Sequence, residues 1–159
     1  MSAQKVVILT GASRGTNPSL APIAASPQLT QPAGIGLAIA HYLLKNSTNL
    51  VVVARSRQPL DDLSAQYPGQ VAVLAGDLAD FSLGERAHEL ATRTWKRLDG
   101  VIVNHGILAP VKKVAQSEAE EWRSLFDVNV FSAVAMVCIV YMSLMVSWHK
   151  RANGVFFSR

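Results

Sequence analysis

Cysteine is nearly absent from this chain. Cys138 is the only one, which excludes an internal disulfide and suits a reducing compartment. Charge is sparse, at 16% of residues, and the net formal charge of +4 is spread rather than striped. No run of Lys and Arg is interleaved with aromatics, which are themselves only 7% of the chain, so nucleic acid is not an expected partner. Long apolar runs are missing near the start: Met1–Lys5 lead into four strongly apolar residues, too few for a secretory signal, and a cytoplasmic location is expected. No metal site is expected. What the chain does have is a hydrophobic half, enough for a buried core, in 159 residues that suit one domain.

Four short β-branched runs alternate with helical patterns. Val6–Leu9, Leu50–Val53, Val71–Leu74 and Val101–Val103 are continuous rather than alternating apolar stretches, as strands buried on both faces are. Gly36–Lys45 places Leu37, Ala40, His41 and Leu44 on one helical face. Pro59–Tyr67 and Leu83–Trp95 are further helices, the second with Leu83, Ala87, Leu90 and Ala91 at three- and four-residue spacing. Tyr42 is expected to be a packed helix residue. This alternation predicts an α/β fold, a doubly wound parallel sheet with right-handed crossovers.

Between the first strand and the first helix stand two halves of a glycine turn. Thr10-Gly11-Ala12-Ser13-Arg14-Gly15 closes the strand and Gly34-Ile35-Gly36 opens the helix. Gly11, Gly15 and Gly36 read as Gly-x-x-x-Gly-x-Gly once Thr16–Ala33 and one Gly are removed. Such glycines turn the chain, admit a pyrophosphate to the backbone and let helix and strand pack closely. A diphosphate then rests on free N–H groups at the positive end of the helix dipole. The intervening 18 residues hold four of the seven prolines and no charge, the composition of a loop or of disorder.

After the second strand, Arg55 stands 19 residues beyond Gly36, where an NAD-binding domain carries an acid for the ribose hydroxyls. An arginine there pairs instead with a 2′-phosphate, and Arg14 supplies a second positive charge, which favours NADP(H). Near the other end, Val128–Trp148 runs 21 residues without Asp, Glu, Lys, Arg or His and is followed by His149-Lys150-Arg151. By length it could cross a membrane. Asn129, three serines and the α/β pattern upstream favour a buried or subunit-facing crossover helix, with no membrane partner.

In these motifs the chain resembles the short-chain dehydrogenase/reductase family, from about Lys5 to Ser132. The resemblance implies a Rossmann sheet, incomplete at its C-terminal side, and a nicotinamide cofactor held by Gly11, Ser13, Arg14, Gly15, Ile35 and Gly36, with Arg55 and Ser56 at the adenosine phosphate. Gly76-Asp77-Leu78 is similar to the family's Asp-Leu pair beside the adenine. Val103-Asn104-His105-Gly106 is similar to its Asn-Asn-Ala-Gly, with Asn104, His105 and Gly106 at the cofactor and His105, in place of alanine, expected to crowd it. Phe126-Asp127-Val128-Asn129 resembles the helix bearing the family's proton-relay asparagine, which makes Asn129 the one catalytic assignment. The branch implied is that of small carbonyl reducers similar to sepiapterin or benzil reductases, NADP(H)-dependent and homo-oligomeric, acting on a small carbonyl or alcohol.

The departures carry equal weight. The family's proton donor is a Tyr with a Lys four residues on, and no Tyr-x-x-x-Lys occurs here: Tyr42 precedes Lys45 at the wrong spacing, Tyr67 is followed by Val71 and Tyr141 by Met145. A fifth strand is expected at Gly154–Phe157, with Ser158 one place short of the family's catalytic serine. The expectation is therefore a single partial dinucleotide-binding domain over residues 1–159, with its cofactor side present and little turnover of its own. A catalytically silent nucleotide-binding or interaction fragment is the alternative. One origin accounts for both oddities. Gly15-Thr16, Leu29-Thr30 and Ala33-Gly34 can be encoded with the donor, branch and acceptor signals of a retained intron over 16–33. Val137-Cys138 can encode a second donor, after which, from about residue 138, the resemblance ends.

Overall fold

The computed structural model describes residues 4–13, 34–108 and 111–155. Its order is β1 (Val6–Thr10), α1 (Ile35–Lys45), β2 (Asn49–Ala54), α2 (Gln58–Gln66), β3 (Val71–Ala75), α3 (Ser82–Trp95) and β4 (Gly100–Ile102). A single 3-10 turn (Val114–Gln116), α4 (Ala119–Phe126), a π-turn (Asp127–Phe131) and α5 (Ser132–Val155) follow. The four strands are all parallel, in the order β3-β2-β1-β4. The four expected strands and three expected helices are present, each within two residues of its expected bounds.

The apolar runs are continuous because both faces of the sheet are covered. Along β2, Val51 and Val53 point to one side, where Val6, Ile8, Leu78, Leu83, Ala87, Met136 and Val140 pack beneath α3 and α5. Leu50, Val52 and Ala54 point to the other, against Leu9, Ala40, Leu44, Leu60 and Leu63 from α1 and α2. Every residue of β2 is buried. Fully burying a Val or Leu side chain contributes about 1.5–3 kcal/mol each, so this central strand anchors the fold. Gly84 lets α3 meet α5 closely: a Cβ there would lie 2.7 Å from Ile139 Cδ1. At the amino edge of the sheet, Asp99 accepts the Val6 N–H at 2.8 Å and the Arg97 Nε–H at 2.8 Å. Burial pushes the Asp99 carboxyl up, but these bonds and the Arg97 and Lys5 charges outweigh it and hold the group below its ordinary value.

Two expectations are corrected. Tyr42 is not packed but 69% exposed, because the buried stripe of α1 runs through Gly36, Ala40 and Leu44. The fifth strand fails at its start, since Gly154 and Val155 continue α5. Extending an existing helix adds one bond per residue, whereas a strand needs a paired neighbour; Phe156, Phe157 and Ser158 lie outside the described residues. The apolar stretch from Val128 is only partly buried. Met136 and Val140 enter the core, while Val130, Phe131, Val134, Val137, Tyr141, Met142 and Met145 are exposed. The stretch Ala119–Ser143 is long and apolar enough to cross a membrane by length and composition alone.

Candidate functional site

Chain order reverses between β1 and β4, where β1 leads outward to β2 on one side and β4 sits on the other. In open parallel sheets that switch point opens a crevice beyond the carboxyl ends of the strands. Gly11, Arg55, Gly76 and Asn104 all lie just past those ends.

Gly11 turns the chain out of β1 at φ 68°, a left-handed conformation that favours glycine, and its N–H donates to the Val53 carbonyl at 2.8 Å. A Cβ on Gly36 would stand 2.1 Å from the Gly11 carbonyl oxygen and 2.6 Å from Asn104 Nδ2. Asn104 Nδ2 itself donates to that Gly11 carbonyl at 3.3 Å. Both halves of the glycine turn thus meet, although Arg14, Gly15 and the 16–33 stretch between them lie outside the described residues. Helix α1 begins without a side-chain cap and without an acid in its first turn, and Lys45 occupies its last. The Leu37 and Ala38 N–H groups both donate to the Gly34 carbonyl, and among the described residues the Ile35 and Gly36 N–H groups have no partner, at the positive end of the helix dipole.

A second layer joins the turn after β4 to the π-turn. Thr10, fully buried, accepts the Asn104 N–H on Oγ1 at 3.0 Å and lies 2.7 Å from His105 Nδ1. His105 Nε2 lies 2.6 Å from Ser132 Oγ and 3.1 Å from the Val128 carbonyl. Burial lowers the His105 imidazole below its ordinary value, with the bond to Val128 pulling the other way. Asn129 bonds Ile107 through both ends of its amide: Nδ2 donates to the Ile107 carbonyl and Oδ1 accepts the Ile107 N–H, each at 2.8 Å. The π-turn produces this placement. The Ser132 N–H reaches back five residues to the Asp127 carbonyl, a widened register frequent at functional sites.

The other expected residues fall around this edge with different exposures. Ser13 is half-buried beside Gly11, and Ile35 is exposed at the head of α1. Arg55 and Ser56 are exposed just past β2, while the neighbouring Arg57 pairs with Asp61 at 3.2 Å. Asp77 is exposed and caps its own turn by accepting the Ala79 N–H at 3.1 Å. Gly106 is exposed next to Asn129. Two side chains turn away from this edge. The Leu78 side chain is buried in the core beneath α3, because the chain turns it inward on leaving β3. The His105 ring turns into the protein and spends both nitrogens there, rather than crowding a ligand.

The three tyrosines stand away from this edge. Tyr42 lies in the last turns of α1 and Tyr67 just after α2, helices that run back towards the amino ends of the strands, and Tyr67 Oη meets His41 Nδ1 at 3.1 Å. Tyr141 is twelve residues beyond Asn129, across the end of the π-turn and into α5, about 18 Å of helix. Among the described residues no grouping of His, Cys, Asp and Glu could hold a metal ion. Thr10 and Ser132 escaped the sequence reading. The only signal for Thr10 was a lone hydroxyl at the end of an apolar run, and Ser132 had none beyond its spacing of four from Val128.

The model of the short chain dehydrogenase family matches residues 30–156, so the match begins near the end of Thr16–Ala33 and leaves β1 outside. An uncharacterized oxidoreductase of Schizosaccharomyces pombe is 36% identical over 137 residues, covering 86% of this chain and 47% of that protein. The benzil reductase ((S)-benzoin forming) of Saccharomyces cerevisiae is 32% identical over 161 residues, covering 97% and 54%. The crystal structure of a short chain dehydrogenase/reductase from Saccharomyces cerevisiae aligns with a TM-score of 0.73 at 29% identity, covering 88% of this chain and 49% of that one. The chain spans about half the length of the curated relatives it matches.

Proposed function

The chain belongs to the short-chain dehydrogenase family, and on that premise we propose that it is the cofactor half of an NADP(H)-dependent oxidoreductase that interconverts a small carbonyl compound and its alcohol. The observation that carries the reading is the approach of Gly36 to the Gly11 carbonyl, which seats an uncapped helix start over the switch point. The family binds nicotinamide cofactors, and the residues at this edge fit one. The first-turn N–H groups of α1 would receive the diphosphate. Asp77 and the backbone around Asn104 and Gly106 would border the adenosine. Exposed Arg55, with Ser56, would hold the 2′-phosphate that separates NADP(H) from NAD(H). The bound nicotinamide supplies or accepts the hydride; Asn129, fixed on Ile107, would hold the proton path beside it. A small carbonyl as substrate is in keeping with the benzil reductase relative. The assembly is oligomeric, as is typical of the family, and the lone Cys138 suits a reducing, cytoplasmic compartment.

A second reading concerns this chain by itself. General acid catalysis needs a donor within hydrogen-bond reach of the carbonyl, and no Tyr-x-x-x-Lys occurs in its residues. On that basis it binds nucleotide with negligible turnover. Calorimetric titration with NADPH and NADH tests the binding: micromolar NADPH affinity supports the first reading, and no binding of either nucleotide overturns it. Carbonyl-dependent NADPH oxidation by the purified chain overturns the second.

A further inference from the structure

We infer that His105 is a positioning residue, which ties the π-turn bearing Asn129 to the end of β1 and thereby fixes the Asn129 amide. Thr10 Oγ1 already accepts the Asn104 N–H at 3.0 Å, and its own hydrogen has two destinations, His105 Nδ1 at 2.7 Å or the Ile102 carbonyl at 3.4 Å. The shorter one requires Nδ1 to be an acceptor. Ser132 Oγ–H donates to the Val128 carbonyl at 2.6 Å, which leaves Nε2 to donate, shared between Ser132 Oγ and that same carbonyl. The neutral Nε2–H tautomer gives each of these groups a partner over the shorter distances, whereas the Nδ1–H form sends the Thr10 hydrogen to Ile102 at 3.4 Å and sets a bare Nε2 3.1 Å from the Val128 carbonyl oxygen.

The network has a direction. Thr10 and Ser132 are both buried, at 0% and 2% exposure. The Asn129–Ile107 pair is exposed, where water competes for both of its bonds. His105 and Ile107 lie two residues apart on one segment, and Val128, Asn129 and Ser132 share the facing turn. The half-buried ring, bonded to two buried hydroxyls, therefore sets the register in which the exposed amide pair closes. An alanine at this position would leave the Thr10 and Ser132 hydroxyls facing a gap.

The catalytic meaning of the clamp rests on the reading of Asn129 given above; the clamp itself is measurable without nucleotide. Ring 15N spectra of the full chain are expected to show His105 as the Nε2–H tautomer alone. In His105→Ala, exchange of the Ile107 amide is expected to accelerate about tenfold while that of Val52 in β2 is unchanged, which separates a local release from general loosening. An Nδ1–H tautomer, or Ile107 protection equal to wild type, overturns the inference. Should His105→Ala not fold, Ser132→Ala removes one arm, and about threefold acceleration at Ile107 is expected; none overturns it. NADPH binding with Ile107 unaffected in these variants sinks the clamp and spares the cofactor reading, and the reverse result does the opposite.

Discussion

Gly36 rests against the carbonyl of Gly11, so close that a Cβ would stand 2.1 Å from that oxygen and 2.9 Å from its carbon. Backbone contact of this kind joins two glycines that are 25 positions apart in the chain. It makes the strand end, the helix start and the Asn104 side chain one unit.

The first prediction follows from that contact. Gly36→Ala forces a methyl group into backbone rather than into a flexible side chain. Overpacking of a close contact costs about 1–3 kcal/mol, so the urea midpoint is expected to fall accordingly, with NADPH binding lost as α1 moves off Gly11. A variant with unchanged midpoint and affinity would show that the contact is not required.

Joining Gly15 directly to Ile35, without Thr16–Gly34, tests whether that stretch belongs to the working protein. The shortened turn is expected to bind NADPH at least about tenfold more tightly, because backbone donors return to the diphosphate. Closing a loop of such length costs only about 2–3 kcal/mol, so the fold tolerates either form. Equal affinities would favour a functional loop. The transcript across codons 15–34 gives an independent answer: a dominant message lacking this stretch is expected if it is retained intron.

Arg55 decides between nucleotides. Its guanidinium is exposed beyond β2 and pairs with no carboxylate among the described residues. Arg55→Ala is expected to weaken NADPH by about 1.5–3 kcal/mol, the value of a charge-assisted bond, and to leave NADH within about twofold. Equal losses for both nucleotides in calorimetry would place the arginine elsewhere.

Acid should loosen the chain through His105. An unfolded imidazole titrates near about 6.5, and the folded one lies lower because burial disfavours its charged form. The unfolded chain then takes up the proton first. Stability is complete above the unfolded value and is lost as pH falls from there through the folded value. Urea midpoints between pH 7.5 and 5.5 are expected to drop more in wild type than in His105→Ala, since the other histidines are common to both. Parallel slopes would remove His105 from the account.

The fold was legible early because its signals are local. A strand covered on both faces must be apolar throughout, and Leu50–Val53 reads so without any partner in view. The stripe of Leu83, Ala87 and Ala91 likewise announces which side of α3 is inward. The glycine turn was legible because few other residues serve its geometry. Interrupted as it is, Gly11 and Gly36 remained recognisable on their flanking strand and helix.

Other features depend on contacts between distant segments. Nothing in the spelling of residues 103–106 says which way the His105 ring faces; that follows from Thr10 on one strand and Ser132 on a helix closing around it. Leu78 looked like a cofactor neighbour by motif, and packing beneath α3 claimed its side chain for the core. Sequence alone determined the alternation of strands and helices, the glycines that permit a close turn and the absence of a Tyr-x-x-x-Lys pair, because periodicity, backbone freedom and residue identity are properties of the chain itself. Tertiary structure decided the meeting of Gly11 with Gly36, the partners of the His105 ring and the position of Asn129 on Ile107, because a contact between residues far apart in sequence exists only once the sheet has brought them together.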